Sequence, residues 1–149
     1  MMTARMRFRR GLLIVGVVVL AASATLGSAS QPNVSEHRAW GLVNGSRAVY
    51  SRSGLSWNID LWACARQHAE DMAARGTIYH STHSQLYHCS HGRGVGENVG
   101  MGGTLYTIHE AFWASPGHRS NILDTSWHRL GTGAVYRDGT FYVDYMFSS

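Results

Sequence analysis

Residues 96–123 contain Gly96-Glu97-Asn98-Val99 and later Trp113-Ala114-Ser115-Pro116-Gly117-His118-Arg119-Ser120-Asn121-Ile122-Leu123. Ser115 followed by Pro116 predicts a helix start, because serine is a favoured N-cap and proline is favoured at the first helical position. His118 then lies in the first helical turn, where the positive end of the helix dipole disfavours a charged imidazole. Glu97 follows a glycine, which lets the backbone turn sharply and aim the carboxylate inward. We expect the chemistry of the chain to reside here.

The first thirty residues have the pattern of a secretory signal peptide. Four arginines precede a nearly uncharged apolar run over residues 12–26, and small residues follow at 27–30. This order is typical of a leader that is removed on export, with cleavage after Ala24 or near Ala29. The alternative is an uncleaved N-terminal tether, but roughly 20 apolar residues are needed to span a bilayer comfortably. We expect a secreted protein with no membrane span after cleavage.

The remaining chain is close to neutral. The sequence has 13 Lys plus Arg and 9 Asp plus Glu, but four of the arginines lie in the leader and lysine is absent. Without a clustered basic stripe, a nucleic-acid-binding surface has little support. Residues 31–149 suit one domain with a single core.

Two cysteines, Cys64 and Cys89, lie in this exported part of the chain. An even count in an oxidising compartment predicts one disulfide. The alternative is a metal site, because Cys89 lies among His80, His83, His88 and His91. The compartment favours the disulfide, and we interpret His83, His88 and His91 as exposed loop residues that collect Cu, Ni or Zn only adventitiously.

Capping residues and apolar spacing predict four helices. Asn33 with Glu36 fits a capping box at the start of the first helix, and Asn58 can cap the second. Gly76 stands where a left-handed C-cap ends the second helix. His68 flanks the apolar stripe of that helix, so we interpret it as a boundary residue rather than a ligand. A third helix begins near Thr104 or Thr107 and breaks near Ser115-Pro116, where a short fourth helix starts.

The rest of the chain is predicted to be loop and strand. Residues 80–103 are rich in Gly, Ser and His, which predicts a long loop with a short strand around residues 95–99. Asp138-Gly139 is typical of a two-residue hairpin turn between strands over 130–137 and 140–147. Phe141, Val143, Tyr145 and Phe147 alternate with more polar residues in the last strand.

Taken in order, these segments resemble the CAP superfamily of secreted proteins, which includes cysteine-rich secretory proteins, antigen five and pathogenesis-related proteins, in its short bacterial form. Asn44 and Arg47 are similar to the Asn-x-x-Arg of the family's first helix. The resemblance continues through the second helix with His80-Ser81, the Gly-Glu-Asn signature at residues 96–98, and the Trp-x-x-Ser-x-x-His-Arg-x-Asn-Ile-Leu pattern. It implies an α+β fold, a three-layer α-β-α sandwich with a central cleft, over residues 31–149.

The resemblance also implies a cation-capable cleft. Family members often line it with two His and two acidic residues, and His80, Glu97 and His118 match three of these places. The fourth place holds Ser115, and Glu110 one turn earlier is an auxiliary candidate. Two imidazoles and one carboxylate suit a divalent cation, Zn²⁺ first, with an open position.

Two functions follow from these residues. The first is an extracellular binding module for a lipid, sterol or other surface ligand. The second is a metal-dependent extracellular hydrolase or peptidase, in which Glu97 is the base or a third ligand. Because the fourth acidic residue is replaced, the sequence leaves open whether the chain is an enzyme. Its partner is expected to be an extracellular lipid or peptide.

Overall fold

The computed structural model describes residues 31–149, which form a domain of the predicted α+β class. The signal peptide expected over residues 1–30 lies outside the described residues. In chain order the elements are α1 (Val34–Val49), β1 (Ser56–Trp57), α2 (Ile59–Arg75), α3 (His83–Cys89), β2 (Val95–Gly102), α4 (Leu105–Ala114), α5 (Pro116–Leu123), β3 (Arg129–Arg137) and β4 (Thr140–Ser148).

The long helices begin where the capping residues predict. Asn33 accepts a hydrogen bond from the Glu36 backbone N–H, and the Glu36 carboxylate accepts one from the Asn33 N–H, which confirms the capping box of α1. Asn58 accepts from the Leu61 N–H at the start of α2, and Gly76 ends that helix with φ of 67°. These local contacts satisfy backbone groups that a helix end leaves free.

The sheet has four strands in the order β1-β3-β4-β2. The hairpin of β3 and β4 turns at Asp138-Gly139, which both have positive φ (49° and 81°), as predicted. β2 pairs antiparallel with the other edge of β4, so Glu97 lies opposite Met146 and Asn98 opposite Tyr145. The short parallel strand β1 was not predicted from the sequence.

Helices cover both faces of the sheet and make the predicted three layers. α2 packs on one face, where a Cβ on Gly131 or Gly133 of β3 would collide with the α2 backbone. α1, α4 and α5 cover the opposite face, where Thr132 Oγ1 donates to the Glu36 carbonyl of α1 at 2.7 Å. Only glycine on β3 allows α2 to lie this close.

Each face of β4 therefore has its own core. Val143, Tyr145 and Phe147 pack with residues of α1, α4 and α5. Tyr142 and Met146 point to the other face and pack against α2. Asp144 lies between these two apolar residues on the α2 face, where it is completely buried. The even-numbered residues of β4 are thus covered rather than exposed.

The predicted long loop over residues 80–103 is wrong in part, because residues 83–89 form α3. Thr82 accepts a hydrogen bond from the Gln85 N–H, and Gln85 Oε1 accepts from the Thr82 N–H, so α3 begins at a capping box. The helix ends at Cys89, which forms the predicted disulfide with Cys64 of α2. Two sequence signals for this helix were missed. One is the capping box, and the other is the absence of glycine from residues 83–89.

The Asn44 and Arg47 pair of α1 has a structural role. Asn44 bonds both backbone groups of Leu55, at 2.7 and 3.1 Å. The buried Arg47 guanidinium donates to the carbonyls of Ser53, Ile122 and Asp124, each at 2.8 Å. It thereby fixes the loop after α1 and the C-terminal end of α5.

Candidate functional site

The site is built around the carboxylate of Glu97, which β2 presents on the α2 face of the sheet. Oε2 accepts from the Ser81 N–H at 3.0 Å and lies 2.6 Å from His80 Nδ1. Oε1 lies 3.2 Å from His68 Nδ1 of α2. One carboxylate thus connects an exposed histidine on one side to a buried histidine on the other.

The Nδ1 atom of His68 faces three oxygen atoms. It lies 3.1 Å from Asp144 Oδ2 and 2.7 Å from Ser81 Oγ, in addition to the contact with Glu97. His68, Glu97 and Asp144, here called the buried triad, have one donor atom each within 4.8 Å of the others. Such a His/Glu/Asp group can hold a metal ion.

Burial and mutual contact shift the pKa values of the triad. Burial alone would lower the pKa of His68, but hydrogen bonds and charge from Asp144 and Glu97 raise it to about 9. Burial raises the pKa of Asp144 to about 8, although the hydrogen bond from His68 opposes it. Burial would also raise the pKa of Glu97, but hydrogen bonds from His68, Ser81 and His80 hold it below its usual value. Metal-free protein therefore keeps protons in this cluster near neutral pH.

His118 lies in the first turn of α5, as predicted, and is partly buried against Phe112 with a ring separation of 4.9 Å. Its carbonyl accepts from Asn98 Nδ2 at 3.0 Å, which ties α5 to β2 beside Glu97. Burial lowers the pKa of His118, and the charge of nearby His80 lowers it further. A neutral imidazole is the form that binds a metal.

The two auxiliary candidates lie elsewhere. Glu110 is exposed on α4 and lines a groove between α1 and α4 rather than the surroundings of Glu97. Ser115 is the N-cap residue of α5, but its side chain makes no capping hydrogen bond. It lines a small cavity together with His118. Neither residue has a contact with the Glu97 carboxylate.

Sequence reasoning missed His68 and Asp144. His68 stands seven residues after the buried Leu61, at the spacing of one helix face, and is only 8% exposed. This spacing was the signal that it belongs to the buried stripe rather than its boundary. Asp144 is one of the more polar residues that alternate with the apolar ones in the last strand, and a second helical layer covers the face on which it lies.

A groove between α1 and α4, here called the α1–α4 groove, lies on the side of the sheet opposite to α2. It is about 920 Å³ in volume and predominantly apolar. Ser46 and His109 form a hydrogen-bonded pair in its wall, with Oγ and Nε2 2.8 Å apart. Burial lowers the pKa of His109, so this pair is neutral at physiological pH. The groove is also lined by Gly41, Leu42, Gly45, Tyr50, Tyr106 and Trp113.

Residues 40–148 match the Cysteine-rich secretory protein family (CAP). The match covers more than half of the chain, and the chain therefore belongs to this family. None of the curated proteins matches the chain significantly.

Solved structures share the fold at low sequence identity. An extracellular protein containing a SCP domain from Bacillus anthracis is similar, with TM-score 0.66 and 23% identity over 80% of this chain and 45% of that one. An outer surface protein of Borrelia burgdorferi has TM-score 0.68 and 18% identity over 76% and 90%. NaASP2, solved with Zn²⁺, has TM-score 0.58 and 12% identity over 79% and 83%. The chain thus spans less than half of the Bacillus protein.

The Bacillus neighbour is an extracellular protein and the Borrelia neighbour an outer surface protein. Over residues 31–149, every helix is too short or too polar to cross a bilayer.

Proposed function

We propose that the chain is an extracellular binding module that takes an amphiphile with a hydrocarbon chain into the α1–α4 groove. The observation that carries this proposal is the groove itself. Its volume, about 920 Å³, lies in the range of small-molecule sites, which reach roughly 1,000 Å³. Its rim exposes Val49, Tyr50 and Tyr106 by 79%, 51% and 63%. Contiguous exposed apolar patches of this kind often mark ligand-binding grooves.

The depth of the groove comes from two glycines of α1. A Cβ built on Gly41 or Gly45 meets nothing within 4 Å. The missing side chains leave space along α1 that a slender apolar chain can fill. Burial of a hydrocarbon chain contributes about 0.8 kcal/mol per CH₂ group.

Polar groups at the groove suit the other end of an amphiphile. Arg38 is exposed on α1 and lines the groove. An arginine pairs well with a carboxylate or phosphate. Ser46 and His109 lie farther inside and offer a hydroxyl and an imidazole to a ligand oxygen. The favoured ligand therefore has an acidic head and an apolar tail.

The test is to fill the groove without disturbing the fold. Gly45→Leu places a side chain where there is open space, and leucine favours a helix over glycine by roughly 1 kcal/mol. We expect this variant to fold and to lose at least tenfold in affinity for a fluorescent fatty acid in a titration. Gly117→Leu is the matched control, because Gly117 is also helical with open space at Cβ. Equal affinity in both variants would disprove ligand binding in the groove.

The second candidate function, a metal-dependent hydrolase, draws on the contact between His80 and Glu97. Because His80 bonds Glu97 through Nδ1, its Nε2 is left for a cation, and a carboxylate on the other nitrogen is the usual support of a metal-binding histidine. His118, neutral at pH 7, is the second donor. A divalent cation held by these two imidazoles would polarise a water or carbonyl group in the cleft.

Metal analysis tests this cleft. Protein purified without an affinity His tag is expected to bind one equivalent of Zn²⁺, the one in the cleft, at least tenfold more weakly after His80→Ala or His118→Ala, since each removes a donor. His128→Ala is a control that changes a histidine outside the cleft. Unchanged Zn²⁺ affinity in both cleft variants would exclude the cleft as a cation site, and a chelator-insensitive hydrolysis would exclude the metal-dependent reaction.

A further inference from the structure

Several oxygen atoms face a single imidazole nitrogen of the buried triad. His68 Nδ1 faces Glu97 Oε1, Asp144 Oδ2 and Ser81 Oγ, at 3.2, 3.1 and 2.7 Å. An imidazole nitrogen carries at most one proton, which cannot serve both carboxylates equally well. A metal ion satisfies several donor atoms at once. Several oxygen atoms close to one imidazole nitrogen are the arrangement in which the ligands of a metal ion lie.

The spacing of the donor atoms fits one small cation. Nitrogen and oxygen ligands lie about 2.1 Å from Zn²⁺. Two such ligands are then about 3.0 Å apart at octahedral angles and about 3.4 Å apart at tetrahedral angles. The distances from His68 Nδ1 to Asp144 Oδ2 (3.1 Å) and to Glu97 Oε1 (3.2 Å) fall between these values.

Charge balance also favours a divalent cation. Glu97 and Asp144 are 6% and 0% exposed, and Asp144 lies between apolar residues of β4. Once the protons of the metal-free cluster are displaced, two buried carboxylates with one neutral imidazole carry a charge of −2, which a divalent ion neutralises. The ion pairs that Glu97 and Asp144 form within residues 31–149 are with the histidines His68 and His80.

Two triad atoms are without partners. Asp144 Oδ1 and His68 Nε2 are buried and have no hydrogen-bond partner within residues 31–149. Such atoms are uncommon in folded proteins and indicate a place where a water or an ion binds. A cavity of about 600 Å³ borders His68 and Ser81 and provides a path for an ion and for water.

We infer that His68 Nδ1, Glu97 Oε1 and Asp144 Oδ2 form a buried site for a divalent transition-metal cation, with Ser81 Oγ as a fourth oxygen. One imidazole with two carboxylates suits Zn²⁺ or Mn²⁺. The site is separate from the cleft of His80 and His118 but shares the Glu97 carboxylate, whose other oxygen faces His80. It is independent of the α1–α4 groove.

The first experiment removes the cleft donors and keeps the triad. Calorimetric titration of the His80→Ala/His118→Ala variant with Zn²⁺ is expected to show one equivalent bound. Both histidines are at least partly exposed, so this variant is expected to fold. Absence of binding in a folded double variant would overturn the inference.

The second experiment removes triad donors in that background. Asp144→Asn changes little in volume but removes a charged ligand, and we expect Zn²⁺ affinity to fall by 100-fold or more. His68→Gln should act likewise. His109→Gln is the matched control, because His109 is also a buried helical histidine but lies in the α1–α4 groove wall. Unchanged affinity in Asp144→Asn would place the ion on exposed histidines and overturn the inference.

A spectroscopic measurement covers the case in which the buried substitutions prevent folding. X-ray absorption at the zinc edge, on the Zn²⁺-loaded His80→Ala/His118→Ala variant, needs no change in the triad. The triad predicts nitrogen and oxygen ligands with one imidazole. Two or more imidazoles would show binding by His83, His88 or His91 instead and would overturn the inference.

Discussion

Two buried polar regions of this domain differ in how their hydrogen bonds are satisfied. Arg47 is 1% exposed, and its guanidinium donates to three carbonyls at 2.8 Å, so each contact pairs one donor with one acceptor. In the buried triad, one nitrogen faces three oxygens while two other buried polar atoms lack partners. Buried polar groups that pair one donor with one acceptor stabilise a fold. Buried polar groups without such partners indicate a place where a water or an ion binds. The first region is structural, and the second has the features of a site.

The largest effect expected from this comparison concerns Arg47. Arg47→Met keeps much of the volume but leaves the carbonyls of Ser53, Ile122 and Asp124 without their donor. We expect a loss of about 3–5 kcal/mol in the free energy of unfolding, because each buried unsatisfied group costs about 1–3 kcal/mol. Chemical denaturation measures this loss, with the exposed Arg38→Met as control. Equal stability of the two variants would contradict a structural role, as would a change in Zn²⁺ affinity.

A smaller effect concerns the pH dependence of the triad in metal-free protein. The pKa of His68 is raised from 6.5 to about 9, so the stability it contributes is full below pH 6.5 and is lost as pH rises through 9. Asp144, with its pKa raised from 3.8 to about 8, also holds its proton more tightly in the folded state. Both shifts therefore make stability fall as pH rises from 6.5.

Denaturation with a chelator present, at several pH values, measures this slope. We expect the free energy of unfolding to fall by on the order of 4 kcal/mol between pH 6.5 and 9. Asp144→Asn removes one of the two titrating groups and should flatten the curve between pH 6.5 and 8. Stability that rises over this range in the unmodified protein would contradict the assigned protonation of the triad.

Much of the fold was predictable because its signals are local. The capping box of Asn33 and Glu36, the glycine after α2 and the Asp138-Gly139 turn act within a few residues, and each lies where it was expected. α3 was missed although Thr82 and Gln85 carry the same kind of box. The many glycines and serines around it outweighed that short signal.

The site was predictable only in part because burial is not a local property. His80 and Glu97 were identified from motifs, and they are in contact. His68 and Asp144 are 76 residues apart in sequence and meet only because α2 lies directly on β3 and β4. The alternation of β4 correctly predicted one core face. It could not reveal that a helix also covers the other face and encloses a carboxylate.

Anomalous diffraction at the zinc edge, from crystals grown with Zn²⁺, tests most directly whether the mismatched region is a metal site. We predict an anomalous peak about 2.1 Å from His68 Nδ1 and within bonding distance of Glu97 Oε1 and Asp144 Oδ2. Zinc bound only at His80, His118 or the exposed histidines of α3, with the triad joined by hydrogen bonds alone, would contradict it.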